Sequence, residues 1–469
     1  MTADTDIIKI ENLNIWFQMR QGFLKDVISK NLRYAKAVDG ISFNIKKGEI
    51  FCLVGESGCG KTTTGKGILR LVEPTSGSII FADDDSDPVI KRLLHLAGEK
   101  SRKREGTAIV EMEGRRGIDI RKLTKSEMIY ARQRIQMIFQ DPYESLNPKM
   151  TIFDIIAEPL IVNKLSKNEK DKEARVIKAL NDAGLRPPEF YMWRYPHQVS
   201  GGQRQRVGIA GALVLSPSLL VADEPISMLD VSIRGEILKL MLDLRENKRL
   251  SYLFITHDLS VAYVFSDRIG VMYLGRIVEM GPTEMVIKNP KHPYTQALIT
   301  VVPKPDPTAK EEKIILKGER PDPTNIPPGC RFHPRCPYIL TLCNVLQPGE
   351  TEAETGHWAA CHLLTPDFVI KWNTENLPKY EKIAADVEKK NTAEIDKLRK
   401  ELAKLRSDLA TLKSAKVKKD RQEAIKAIEK NIQKLDTEMA KAKAHVEKMK
   451  AEIVTMKAKL PSASRPLSP

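Results

Sequence analysis

The segment Gly55-Glu56-Ser57-Gly58-Cys59-Gly60-Lys61-Thr62 restricts most what this chain can fold into. It fits the pattern GxxxxGK[ST] throughout, with Thr63 following, and it stands between the apolar run Ile50 to Val54 and a helical stretch from Lys61 to Leu71. A strand, a Gly-rich turn and a helix start place several backbone N–H groups around one concavity, which is an arrangement that cradles phosphates. Lys61 can then reach the β- and γ-phosphates, and the Thr62 hydroxyl can hold Mg²⁺. The spacing predicts an α/β domain that binds a nucleoside triphosphate, and leaves kinases, GTPases, helicases and other users of this loop open.

Residues 7 to 17 and 37 to 45 alternate and are rich in Ile, Val and Phe, so they read as strands opening that domain. Leu219 to Ala222 is an apolar strand running into Asp223 and Glu224, and Tyr252 to Thr256 is another, followed directly by His257. Arg268 to Tyr273 and Arg276 to Met280 read as a further pair of strands. Val199-Ser200-Gly201-Gly202-Gln203 precedes the acidic strand, and a small-residue turn opening a helix suits contact with phosphate. Between Phe81 and Gly117 an acidic burst and a basic stretch flank one helical patch, Val89 to Leu96; residues 84–116 therefore read as a surface insertion.

The bulk properties bound the rest. A chain of 469 residues with 42% hydrophobic content can fill several domain cores. No run of about 18 or more apolar residues is present, and the N-terminal residues lack a basic and apolar leader, so neither a membrane span nor a secretion signal is expected. The net charge of +15 fits a solvated Lys-rich helical surface, and also anionic lipid or nucleic acid.

A Pro-rich sequence from Pro303 ends the regular pattern, so residues 303–370 read as a small loop-rich module after a first domain spanning 1–302. Four of the six cysteines fall there: Cys330, Cys336, Cys343 and Cys361, at intervals x5, x6 and x17. These intervals are longer than those of common zinc knuckles; a cubane cluster, zinc and packing without metal all remain open. From Ile395 the apolar spacing alternates three and four through Leu398, Leu402, Leu405, Leu409 and Leu412, and a second seam runs from Ile425 to Leu460. The break between them fits an antiparallel coiled-coil hairpin over 377–460, better than one long stuttering helix, with a flexible tail at 461–469.

Residues 7 to about 365 resemble the ATPase subunits of ABC importers of the dipeptide/oligopeptide family. The likeness rests on Ile135 to Pro142 (IQMIFQDP), Ser145-Leu146-Asn147-Pro148, Tyr195-Pro196-His197, Met272-Tyr273-Leu274-Gly275 and His292-Pro293-Tyr294-Thr295, and leans toward the second of that family's two paired ATPases. It implies a P-loop ABC-type ATPase domain with a helical subdomain, followed by the Cys-rich module and the helical hairpin. Two such ATPases would sandwich two ATP molecules, with Ser200, Gly201, Gly202 and Gln203 serving the partner's nucleotide.

Asp223 would orient Mg²⁺, Glu224 would act as general base on the attacking water, Gln140 would sense Mg²⁺ and water, and His257 would contact the γ-phosphate. Asp230 would couple the two sites. Phe17 is the choice for stacking on adenine, with Tyr34 or Trp16 as substitutes. The resemblance also implies a [4Fe-4S] cluster on the four cysteines, a second ABC ATPase, two membrane permeases and indirectly an extracellular solute-binding protein. No nucleic acid is expected, and the chain would sit peripherally on the cytoplasmic face of the membrane. An oligosaccharide importer, or a non-transport ATPase acting on ribosomes or DNA, remains an alternative. Gly211, Ile226 and Met228 depart from the family's usual Arg, Thr and Ala, without removing a catalytic element.

Overall fold

A computed structural model describes residues 5–19, 33–101, 108–301, 314–316, 318–414 and 419–458. The chain forms two compact units, Met1–Tyr338 with Pro348–Cys361, and Ile339–Gln347 with His362–Pro469.

The first unit holds two sheets. Strands β1 (Asp6–Met19), β2 (Arg33–Lys46), β3 (Ile50–Val54), β4 (Ser76–Phe81), β5 (Ile109–Met112) and β6 (Arg115–Asp119) are followed by β7 (Ile135–Ile138), β8 (Leu219–Asp223) and β9 (Ser251–Thr256). Then come β10 (Arg268–Tyr273), β11 (Arg276–Pro282), β12 (Thr351–Glu354) and β13 (His357–Ala359). One sheet has the order β2-β1-β4-β6-β5; the other has the order β12-β13-β11-β10-β3-β9-β8-β7.

In the larger sheet β10, β3, β9, β8 and β7 run parallel, and β3, β8 and β9 are buried at every position. Parallel strands covered on both faces require such continuous apolar runs. The period of two then divides the strands between two cores. Ile50, Cys52, Val54, Leu220, Ala222, Tyr252 and Phe254 face one, while Phe51, Leu53, Leu219, Val221, Leu253 and Ile255 face the other.

The first core takes in the helices Ile152–Val162, Glu169–Asp182 and Gly201–Leu213 among others. Their starts are fixed by side-chain caps: Thr151 and Asp154 form a reciprocal box, Asn168 caps the second, and Ser200 with Gln203 boxes the third. The second core is filled from the antiparallel sheet by residues such as Ile8, Ile10, Ile15, Val38 and Phe43.

Two sequence expectations are revised. The stretch 84–116 is more than a surface insertion. Its helix, Pro88–Ser101, buries Ile90, Leu93, Leu94 and Ala97 in the second core, and β5 and β6 extend the antiparallel sheet. Positions 90, 93, 94 and 97 are one helical stripe, of which the sequence patch Val89 to Leu96 held all but the last; residues 102–107 lie outside the described residues. The second revision concerns the loop-rich stretch after Pro303, of which 302–313 and 317 are outside the described residues. Its β12–β13 hairpin joins the larger sheet, with Glu279 opposite Ala359 and the Ala360 N–H donating to Val278 O at 2.8 Å. Strands of three and four residues are too short for alternation to reveal.

The second unit consists mainly of two helices, Pro366–Ser414 and Lys419–Ala458. Glu388 pairs with Lys450 at 2.8 Å and Arg406 with Asp436 at 3.5 Å, so the helices run in opposite directions. Ile395, Leu398, Ile432, Leu435, Met439, Ala442 and Val446 are half-buried among largely exposed neighbours. Residues 415–418, the final seam residue Leu460 and the residues 461–469, read from the sequence as a flexible tail, lie outside the described residues. No described helix is long and apolar enough to cross a membrane.

Candidate nucleotide site

Parallel register assembles the site. Val54 lies opposite Thr256, Asp223 opposite Ile255, and Ile138 opposite Ala222. The C-terminal ends of β3, β8, β9 and β7 therefore deliver the Gly-rich loop, Asp223 with Glu224, His257 and Gln140 to one edge of the sheet. Ligands of open α/β sheets bind at such edges.

The loop is packed too tightly for side chains at its turning points. Gly55 has φ 150°, and a Cβ there would lie 2.1 Å from Met272 O; Gly60 has φ 115°, and its Cβ would lie 2.2 Å from Ala37 O. Only glycine fits both demands. Lys61 opens the helix Lys61–Ile68 and is buried, its ammonium donating to Gly55 O at 2.7 Å and Glu56 O at 3.1 Å. Lys61 Nζ thus sits inside the turn of the loop, where phosphate oxygens would replace carbonyls as its acceptors. Burial pushes the neighbouring Cys59 thiol up despite the Lys61 ammonium beside it.

The Thr62 hydroxyl donates to Asp223 Oδ1 at 2.9 Å. Burial raises the Asp223 carboxyl above its ordinary value; the Thr62 hydrogen bond opposes the shift and the Glu224 charge adds to it. A buried carboxylate beside another negative charge is a position that a cation stabilises. Glu224 has φ 45°, a left-handed conformation that turns the strand end, and its N–H donates to Ile255 O at 2.9 Å. Its carboxylate accepts from Gln140 Nε2 at 3.0 Å and meets His257 Nδ1 at 3.2 Å. One residue per strand end thus converges on Glu224, since Gln140 and Glu224 each lie two positions beyond a paired residue of adjacent strands.

Ser200, Gly201, Gly202 and Gln203 stand apart from this cluster. The Ser200 hydroxyl accepts from Gln203 N–H at 3.3 Å and Gln203 Oε1 from Ser200 N–H at 3.0 Å; among the described residues neither bonds to the loop 55–62. Asp230 is exposed at the start of the helix Val231–Lys248 and makes no capping hydrogen bond. Phe17 and Tyr34 are exposed, whereas Trp16 commits its indole N–H to Asp39 at 3.0 Å and its ring to Lys36 at 4.5 Å. Of the three candidates Phe17 and Tyr34 are the exposed ones, the Tyr34 ring lying 6.3 Å from that of Trp16.

Sequence reasoning missed the residues that hold the loop from the C-terminal side. Tyr294 OH accepts from Glu56 N–H at 2.9 Å, Arg320 donates to Ser57 O at 2.5 Å, and Arg335 binds both oxygens of Glu56. Arg331 pairs with buried Asp39 and also donates to Leu274 O. Tyr294 lies in a recognised motif, but nothing in the sequence pairs residues more than 230 positions apart.

These features define an ATP-binding cassette, and the chain belongs to the ABC transporter family, whose sequence profile matches residues 38–227. Within that family, residues 278–343 match the C-terminal region of oligopeptide/dipeptide transporters. The chain is 42% identical over 359 residues to the oligopeptide transport ATP-binding protein AppF of Bacillus subtilis, covering 76% of this chain and 97% of that one. It is 44% identical over 333 residues to the putative oligopeptide transport ATP-binding protein YkfD of the same organism, covering 71% and 90% respectively. Identity is 39% over 360 residues to the probable peptide ABC transporter ATP-binding protein y4tS of Sinorhizobium fredii, covering 77% of this chain and 90% of that one.

The expected iron–sulfur cluster is corrected. Among the described residues no group of three or more His, Cys, Asp or Glu side chains could hold a metal ion. Cys330 and Cys336 pack half-buried against the first core, and Cys343 is buried. Clustering along the chain did not translate into a metal-binding group in space.

Proposed function

We propose that this chain is the ATP-hydrolysing subunit of an importer for di- and oligopeptides, acting from the cytoplasmic face of the membrane on partner permeases. The observation that carries the reading is the convergence of Lys61, Thr62–Asp223, Glu224, Gln140 and His257 at one sheet edge, in a chain whose relatives are named oligopeptide transport ATP-binding proteins.

The substrate is the magnesium complex of ATP. The loop from Gly55 to Thr63, through the backbone N–H groups it leaves uncommitted, and the Lys61 ammonium hold its phosphates, and Phe17 stacks on the base. Thr62, Asp223 and Gln140 would hold the magnesium, which would supply positive charge to stabilise the phosphoryl oxygens. Glu224 accepts the proton of the attacking water, held in place by Gln140, while His257 turns to the γ-phosphate. The turn Ser200–Gln203, which among the described residues makes no bond to its own phosphate loop, serves the nucleotide of a second ATPase, and Asp230 couples the two sites. The helices 366–414 and 419–458 form a coiled-coil hairpin; the antiparallel pairs Glu388–Lys450 and Arg406–Asp436 support this.

Tagged protein purified from its native membranes is expected to bring two multi-span permeases and a second ATPase, and cells lacking the chain to lose uptake of labelled tripeptide. Ribosomal or DNA-associated partners, or intact peptide uptake with lost oligosaccharide uptake, would overturn the transport assignment. Removal of residues 377–469 tests the hairpin: unchanged assembly and uptake would leave it without an essential part in either.

A further inference from the structure

Glu56 places a carboxylate inside the loop that is to receive a polyphosphate, which is an electrostatic conflict. Arg335 resolves it: Nη1 lies 2.9 Å from Glu56 Oε2 and Nη2 lies 3.0 Å from Oε1, a bidentate pair. The side chains are only 10% and 28% exposed, so solvent screens the pair weakly. An aromatic wall adjoins them, Tyr273 and Tyr294 having ring centroids 4.7 Å apart, and the Arg335 guanidinium lies 5.9 Å from the Tyr273 ring. Tyr294 OH meanwhile accepts from the Glu56 N–H at 2.9 Å, so the Glu56 backbone and side chain are both fixed from residues 294 to 335.

We infer that Arg335 is a positioning residue for the nucleotide, neutralising Glu56 so that the phosphate loop accepts a highly charged ligand. The inference rests on the reading of residues 55–62 as an ATP site. Without the guanidinium, Glu56 would be a partly desolvated, unpaired anion beside bound phosphates, and the penalty would scale with the ligand's charge. A residue that merely packed the segment would not discriminate among ligands by charge, nor be relieved by neutralising Glu56.

The test uses the full chain and competition with a fluorescent ATP analogue. Arg335→Met is expected to weaken ATP binding about tenfold, ADP binding less and adenosine binding not at all. Adding Glu56→Gln to Arg335→Met is expected to recover most of the ATP affinity; because it removes the unpaired charge, this double variant also guards against a misfolded single one, with thermal unfolding recorded for both. Parental ATP affinity in Arg335→Met, equal losses for ATP and adenosine, or no recovery in the double variant would overturn the inference alone. A parental chain unable to bind ATP would overturn the nucleotide-site reading and this inference with it.

Discussion

At the C-terminal edge of the eight-stranded sheet, Lys61, Asp223 and Glu224 are held by strands β3 and β8, which are buried at every position. In the helices Pro366–Ser414 and Lys419–Ala458, by contrast, the described seam residues are only half-buried, and the ion pairs between the helices lie at the surface. The sheet edge places functional groups through long-range register, where a small displacement is felt throughout a dense core. The helices depend on a local repeat, where each side chain contributes little and can be replaced singly. A perturbation at the first region should therefore cost far more than one at the second.

The largest effect is expected for Glu224→Gln. In the assembled complex ATP hydrolysis should fall about 10²- to 10⁴-fold while ATP binding persists, and hydrolysis at the parental rate would end the general-base assignment. Gly60→Ala comes next: the added Cβ meets Ala37 O in a backbone region closed to L-residues, so a stability loss of about 2–4 kcal/mol is expected in denaturant unfolding.

Acid should then separate the regions further. His292 is fully buried and its pKa is pushed down from 6.5 to about 4 by burial; its Nδ1 accepts from the Tyr294 N–H at 3.0 Å, which requires the neutral ring. A histidine depressed in the folded state stabilises fully above pH 6.5, and that contribution is lost as pH falls toward 4, because the unfolded chain binds the proton first. The first unit should lose about 3 kcal/mol over this window, and His292→Asn, which can still accept from the Tyr294 N–H, should flatten the loss. Equal slopes for parent and variant in unfolding from pH 7 to pH 4.5 would remove His292 as the cause.

The smallest effect is expected for Lys450→Ala or Arg406→Ala, which should leave the melting temperature within about 1 °C and ATP hydrolysis unchanged. A larger loss would mean that the helices hold tighter, less solvated contacts than surface ion pairs provide.

The phosphate loop, the acidic strand end and His257 were legible because each is a short local pattern whose chemistry needs adjacent residues in fixed order. Strands β3, β8 and β9 were legible because burial on both faces leaves continuous apolar runs. The helix Pro88–Ser101 was only partly seen, since its stripe of Ile90, Leu93, Leu94 and Ala97 is interrupted by charged residues. The four cysteines misled, because proximity along a chain does not oblige side chains to form a metal-binding group, and none is found among the described residues.

The sequence by itself determined the nucleotide-binding elements, the apolar strands and the two helical seams, all of which follow from backbone and burial rules acting over at most a few turns. Only the tertiary structure decided that Gln140 and His257 meet on Glu224, that β13 joins β11, and that Arg335 reaches Glu56 across 279 positions. Those contacts arise from strand register and sheet order, and a side chain carries no local mark of the distant partner that register will bring to it.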